Sequence, residues 1–264
     1  MSPGSAEQSV ERHLVAVALD GLALEPREAL VALRASGVSA VQWPAMRSGI
    51  RPRDLDASAR RDLQSTLRRH ELAMSGVDLW IPAEHFDDPT RVDRAVSAVE
   101  ESVRFAAEFG RCPVSIRLPG TATSGAGEQG LESAISAIGA IAERHGVLLA
   151  DHAVPTTRRE SIRVGIDPVA CLAAGTDPAA VAIEHAGDVA AARLADLDRA
   201  GLRSPVGDPA EGRLDLLRYR VGLEVAGLRG LVVIDPRQWS DPLAGVRRSA
   251  AAWTEAGRPA GWSH

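Results

Sequence analysis

The chain has no lysine and no asparagine, and all 30 of its basic residues are arginine. Without lysine there is no Schiff-base aldolase chemistry, no pyridoxal phosphate attachment and no P-loop lysine. Without asparagine there is no N-glycosylation acceptor. Aromatic residues make up only 3% of the chain, so its interior must be built from Ala, Val, Leu and Ile. The two cysteines, Cys112 and Cys171, lie far apart and form no disulfide framework. They read as reduced, buried thiols. No apolar run reaches the length of a membrane span, and MSPGSAEQSVER at the start lacks a signal-peptide core, so a cytoplasmic location is expected. A formal net charge of -5 with no dense basic stripe argues against nucleic acid as a partner. No G-x-G-x-x-G opens the first strand–helix turn, which leaves no nucleotide cofactor to expect.

What is present is regular. The 264 residues match the roughly 250 typical of a single eight-stranded barrel with eight helices. Residues 1–12 and 259–264 read as polar tails around a barrel spanning 13–258. Short apolar runs fit strands at Leu14–Leu19, Val38–Trp43, Leu72–Ile81, Pro113–Leu118, Val147–Asp151, Ile162–Asp167, Val189–Leu194 and Leu231–Asp235. Between them lie amphipathic helices, among them Arg27–Ser36, Ala57–Arg69, a long one ending at Phe109, Leu131–Arg144, Leu214–Ala226 and Pro242–Thr254. Thr121–Gly130 and 201–212 carry the Gly, Ser, Thr and Pro of loops. Eight strand–helix units without a composition break make an α/β fold, a single (β/α)8 TIM barrel. A doubly wound open sheet is the alternative.

Four apolar runs end on aspartate: Asp151, Asp167, Asp196 and Asp235. The carboxyl ends of barrel strands converge on one face, where ligands bind. Carboxylates gathered there repel one another unless a cation, a shared proton or solvent separates them. The plainer reading of each is a cap on the helix that follows. Asp151, Asp167 and Asp235 are expected to cluster at that mouth. Arg193, on strand seven, either points among them as a local cation or pairs outward with Asp196 or Asp198. Arg117, near the end of strand four, either recognises an anionic substrate or pairs with an aspartate. Trp43 and Trp80 either wall a sugar ring or pack at the rim. His152 alternates with Asp151 and is either a packed, supporting histidine or a mouth residue. His85 is either a loop residue recruited to the site or simply exposed.

The segments V-G-I-D-P-V-A-C-L-A-A-G-T-D-P (164–178), A-R-L-A-D (192–196), V-G-D-P-A-E-G-R-L-D (206–215) and G-L-R-G-L-V-V-I-D (227–235) resemble the xylose isomerase-like barrel superfamily, especially its sugar-phosphate isomerases and epimerases. The resemblance implies a small polyhydroxylated or anionic substrate and one divalent metal (Mn, Mg or Zn). In that family the metal is held by a glutamate ending strand five, an aspartate ending strand six, a histidine on strand seven and a glutamate ending strand eight. These positions fall on Asp151, Asp167, Arg193 and Asp235. Asp151 and Asp235 would be the catalytic bases, and Arg199 matches a substrate-binding arginine. Arg193 is a permanent cation that cannot coordinate metal. The shortened Asp151 and Asp235 would retract their carboxylates by about an ångström, a misplacement that can cost roughly a hundredfold in rate. The resemblance therefore implies an isomerase or epimerase with an eroded metal site, or a non-catalytic barrel that binds a small molecule or protein. A homo-oligomer is compatible with either.

Overall fold

In a computed structural model, residues 13–120, 125–207 and 212–258 are described, and the expected tails lie outside them. Eight parallel strands close into a barrel. These are β1 (His13–Ala18), β2 (Val38–Pro44), β3 (Ala73–Asp78), β4 (Val114–Ile116), β5 (Leu149–Asp151), β6 (Arg163–Ile166), β7 (Val189–Leu194) and β10 (Val233–Ile234), and β10 pairs with β1. A small antiparallel hairpin, β8 (Asp196–Leu197) with β9 (Arg203–Ser204), follows β7. The single (β/α)8 fold read from the sequence is the fold observed.

The helices are α1 (Pro26–Ala35), α2 (Ala57–Arg69), α3 (Val92–Glu108), α4 (Gly125–His145), α5 (Pro168–Ala173), α6 (Pro178–Glu184), α7 (Leu216–Val225) and α8 (Pro242–Ala256). Their starts follow a shared chemistry. Asp56, Asp167, Asp177, Asp215 and Asp241 each accept a first-turn N–H, and proline opens α5, α6 and α8 directly after such a cap. Two expectations need correction. The connection from β5 to β6, residues 152–162, contains no helix, whereas β6 is followed by two short ones. The expected loop over 121–130 is helical from Gly125 onward, and residues 121–124 lie outside the described set. Among the described residues no helix is long and apolar enough to cross a membrane.

Strand alternation sorts the barrel into two layers. Outward residues such as Val17, Val41, Val77, Ile116, Leu149, Ile166 and Ile234 are buried under the helices. Inward residues are small low in the barrel, where Ala16, Ala18, Ala40 and Val233 pack together. Higher up the inward positions become polar, with Gln42, Ser115, His152, Asp78 and Arg193 all buried. That change places the chemistry at the carboxyl end of the strands.

Candidate functional site

Arg193 is the next-to-last residue of β7, points into the lumen and is only 1% exposed. Its guanidinium crosses the barrel axis to β3, where Nη2 donates to Asp78 Oδ1 at 2.6 Å, while Nη1 donates to Asp235 Oδ2 at 3.2 Å. Tyr219 of α7 steadies β7 from outside by donating to the Arg193 carbonyl at 2.9 Å. Asp235 directly follows β10 and takes two further guanidinia. Arg203 Nη1 donates to its Oδ2 at 3.0 Å, and Arg237 donates through Nε (2.8 Å) and Nη2 (2.5 Å). Arg203 also donates to Asp167, joining the ends of β6 and β10. The indole of Trp80 lies beneath Arg237 and Arg193, 4.5 and 5.5 Å from their guanidinium carbons.

The result is a closed lattice of three arginines and three aspartates with no surplus charge. Burial alone would raise the pKa of Asp235, but Arg193, Arg237 and Arg203 overcome it and hold the carboxyl well below the usual carboxylate range. Asp167 is likewise lowered, with burial opposed by Arg203 and Arg193. Below the lattice, Gln42 Nε2 donates to Ser115 Oγ at 3.0 Å, and Ser115 Oγ lies 3.0 Å from His152 Nε2. Burial and the nearby Arg193 push His152 down to about 3, so it is neutral at physiological pH. Gly165 leaves room for that imidazole, since a Cβ there would stand 2.6 Å from the ring. At the rim, Asp20 follows β1 and makes no hydrogen bond among the described residues. Desolvation and the charge of Asp78 raise its pKa.

One sequence expectation changes with this geometry, and several open alternatives are decided by it. Asp167 and Asp235 are brought together through Arg203, but Asp151 is not with them. Asp151 faces outward from β5, where Oδ1 accepts from the Leu118 and Ala153 N–H groups at 3.0 Å each and Oδ2 accepts from Arg159 at 2.6 Å. It staples β4 to β5, and burial raises its pKa despite those donors. The inward residue at the end of β5 is His152. Trp43 also faces outward, 6.4 Å from Phe105 of α3, with its N–H donated to the Ile50 carbonyl, so it packs the core and walls no pocket. Arg193 points inward, and Asp196 is engaged elsewhere, accepting from the backbone N–H groups of Leu197, Arg213 and Leu214. Arg117 is exposed at the end of β4, and Arg199 is exposed in the turn of the β8–β9 hairpin. His85 is half-buried beside Arg91, at 2.8 Å, away from the lattice. Cys112 and Cys171 are free and buried.

Sequence reasoning missed Asp78, Arg203, Arg237, Gln42, Ser115 and Asp20. Asp78 ends an apolar strand as the other aspartates do, and Arg237 keeps the inward parity of Asp235. Both were therefore findable. Arg203 sits in a Gly- and Pro-rich stretch with no periodicity to mark it.

The family model of the xylose isomerase-like TIM barrel matches residues 30–255. The chain belongs to that family. No curated protein matches the xylose isomerase-like chain in sequence. Among solved structures it is similar to an L-ribulose 3-epimerase, with 13% identity, TM-score 0.71 and coverage of 92% of this chain and 95% of that one. It is also similar to a sugar phosphate isomerase/epimerase from Parabacteroides distasonis, with 13% identity, TM-score 0.70 and coverage of 96% of each chain. A third is the IolI protein with a bound zinc atom, at 13% identity and TM-score 0.70, covering 91% of this chain and 96% of that one. At such identities the likeness shows the fold.

The zinc of IolI raises the question of whether these residues fit a metal. A divalent cation needs several free oxygen or neutral nitrogen donors converging on one point. Here the Asp167 and Asp235 carboxylates receive guanidinium donors, Arg193 supplies a cation, and His152 Nε2 is engaged by Ser115. Among the described residues no group of three or more His, Cys, Asp or Glu is arranged to hold a metal. The residues present do not fit one.

Proposed function

We propose that this xylose isomerase-like barrel binds a small polyhydroxylated or anionic molecule at its carboxyl-terminal mouth without the divalent metal of its relatives. The observation that carries the reading is Arg193, spanning the axis between Asp235 and Asp78 at the strand-seven position. Its charge neutralises the Asp78 and Asp235 carboxylates at the mouth as a metal would. The ligand then rests on the arginine–aspartate lattice, with Trp80 offering an apolar face, exposed Arg117 an anion contact and the outer edges of Arg203 and Arg237 hydrogen-bond donors. Asp235, held ionised by three guanidinia, and His152, its pKa pushed down by burial and the neighbouring Arg193 charge, are both poor bases for lifting a carbon-bound proton. The binding reading is therefore preferred over turnover by the family route.

One observation favours a second reading, an active isomerase or epimerase. Asp20 stands at the rim with a raised pKa and no hydrogen-bonded partner among the described residues, as a general base would. The test is a titration with free ketohexoses, sugar phosphates and sugar acids, followed by melting temperature and calorimetry. The binding reading expects one class to bind saturably, with the effect lost in Trp80→Ala or Arg117→Ala. If no class binds, it fails. Deuterium incorporated from solvent at a sugar carbon, and abolished by Asp20→Asn, would establish the second reading.

A further inference from the structure

The polar groups inside the barrel do not close completely on one another. Gln42 on β2, His152 at the end of β5 and Arg193 on β7 are each at most 3% exposed. Each keeps one polar atom with no hydrogen-bond partner among the described residues: Gln42 Oε1, His152 Nδ1 and Arg193 Nε. A buried polar atom without a partner is costly, so nearly all are matched by protein or by ordered solvent. Here three of them share one lumen. Gln42, Ser115 and His152 form a hydrogen-bonded row across it. Arg193 passes over to Asp78 of β3, the strand between those of Gln42 and Ser115.

The hydrogens of the row can be placed. Gln42 Nε2 donates to Ser115 Oγ, so the single hydroxyl hydrogen of Ser115 goes to His152 Nε2, the other partner of that oxygen. A hydrogen on Nε2 would instead set two donors on the hydroxyl oxygen and leave the hydroxyl hydrogen without an acceptor. Burial and the Arg193 charge keep the imidazole neutral, and its one ring proton is therefore on Nδ1. The unmatched atoms are then two donors, His152 Nδ1–H and Arg193 Nε–H, and one acceptor, Gln42 Oε1. A halide or carboxylate would suit the donors and repel Gln42 Oε1. A cation would suit Gln42 Oε1 and be repelled by Arg193. A water molecule accepts two hydrogen bonds and donates a third, the usual number for buried water.

We propose that the lumen holds one ordered water, accepting from His152 Nδ1–H and Arg193 Nε–H and donating to Gln42 Oε1. It ties the Arg193 span to the row beneath it. The site lies below the arginine lattice, so it does not depend on what the mouth binds. Its test is neutron diffraction from wild-type crystals exchanged into deuterated water, beside anomalous X-ray data from crystals soaked in bromide. The expected result is hydrogen or deuterium on His152 Nδ1 and none on Nε2, one water within hydrogen-bond distance of all three atoms, and no bromide in the lumen. A proton on Nε2, a bromide between His152 and Arg193, or no water within reach of the three atoms would each overturn the proposal. Long-range proton–nitrogen correlation spectra of protein labelled with nitrogen-15 histidine read the same proton in solution. The signals that disappear in His152→Ala should be those of a ring protonated on Nδ1 at neutral pH, and a ring protonated on Nε2 would overturn the proposal independently of the crystals.

Discussion

Replacing Arg193 by methionine removes the one cation that crosses the barrel while keeping much of the side-chain volume. Asp78 would lose its 2.6 Å partner and keep only Arg237, whose Nη1 is 4.0 Å away. Asp235 would retain Arg203 and Arg237. Taking one partner from a buried ion pair costs about 3–5 kcal/mol, because a carboxylate is left desolvated and uncompensated. At about 2–4 °C per kcal/mol for a domain of this size, the melting temperature should fall by roughly 6–20 °C. The pH dependence carries the sign of the argument. In the wild type the folded pKa values of Asp235 and Asp167 are depressed, so their stabilisation is present above the unfolded value of about 4 and is lost as pH falls through the folded values. The substitution raises those folded values. The deficit of Arg193→Met relative to wild type should therefore be largest near neutrality and shrink as pH falls below about 4, where the variant's carboxyls protonate before those of the wild type. Differential scanning calorimetry of both proteins across that window measures it. Equal melting temperatures, or a deficit that does not change with pH, would mean that Arg193 contributes packing and no electrostatic compensation.

Gly165→Ala places a Cβ 2.6 Å from the His152 ring and should cost about 1–3 kcal/mol, with most of it recovered in Gly165→Ala/His152→Ala; chemical denaturation of both variants checks this. The His152 imidazole should show no titration in NMR above about pH 4, whereas the unfolded residue takes up its proton near pH 6.5. Its folded pKa is the lower of the two, so stability tied to His152 is present above about pH 6.5 and is lost as pH falls from there toward about 3. Cys112 and Cys171, pushed up to about 12 and about 11 chiefly by burial, should react with a thiol reagent only as fast as the protein opens, and at the free-thiol rate once it is unfolded.

The fold was legible because parallel barrel strands, covered on both sides, read as continuous apolar runs, and Gly and Asp-Pro punctuation separates them from the helices. The missing helix after β5 could have been inferred from the short span between Asp151 and Arg163, too small for a helical crossover of ordinary length. Side-chain direction was harder to read. β5 has only three residues, so nothing in Leu149–Asp151 shows which parity faces the lumen, and the carboxylate of Asp151 was given the place that His152 holds. At β2 the signal was present but unused, since a lone Gln42 between Val41 and Trp43 marks the inward position and turns both neighbours outward. Arg193 was legible because parity on the six-residue β7 is unambiguous. Its partner Asp78 lies far away in sequence and is set opposite it only by closure of the barrel.

The most direct test of the central claim is anomalous diffraction from crystals grown in excess Mn²⁺. The account predicts no manganese peak at the mouth, with the Arg193 guanidinium lying between Asp78 and Asp235. A manganese peak at metal–oxygen bonding distance from Asp167 and Asp235, with Arg193 swung away, would contradict it.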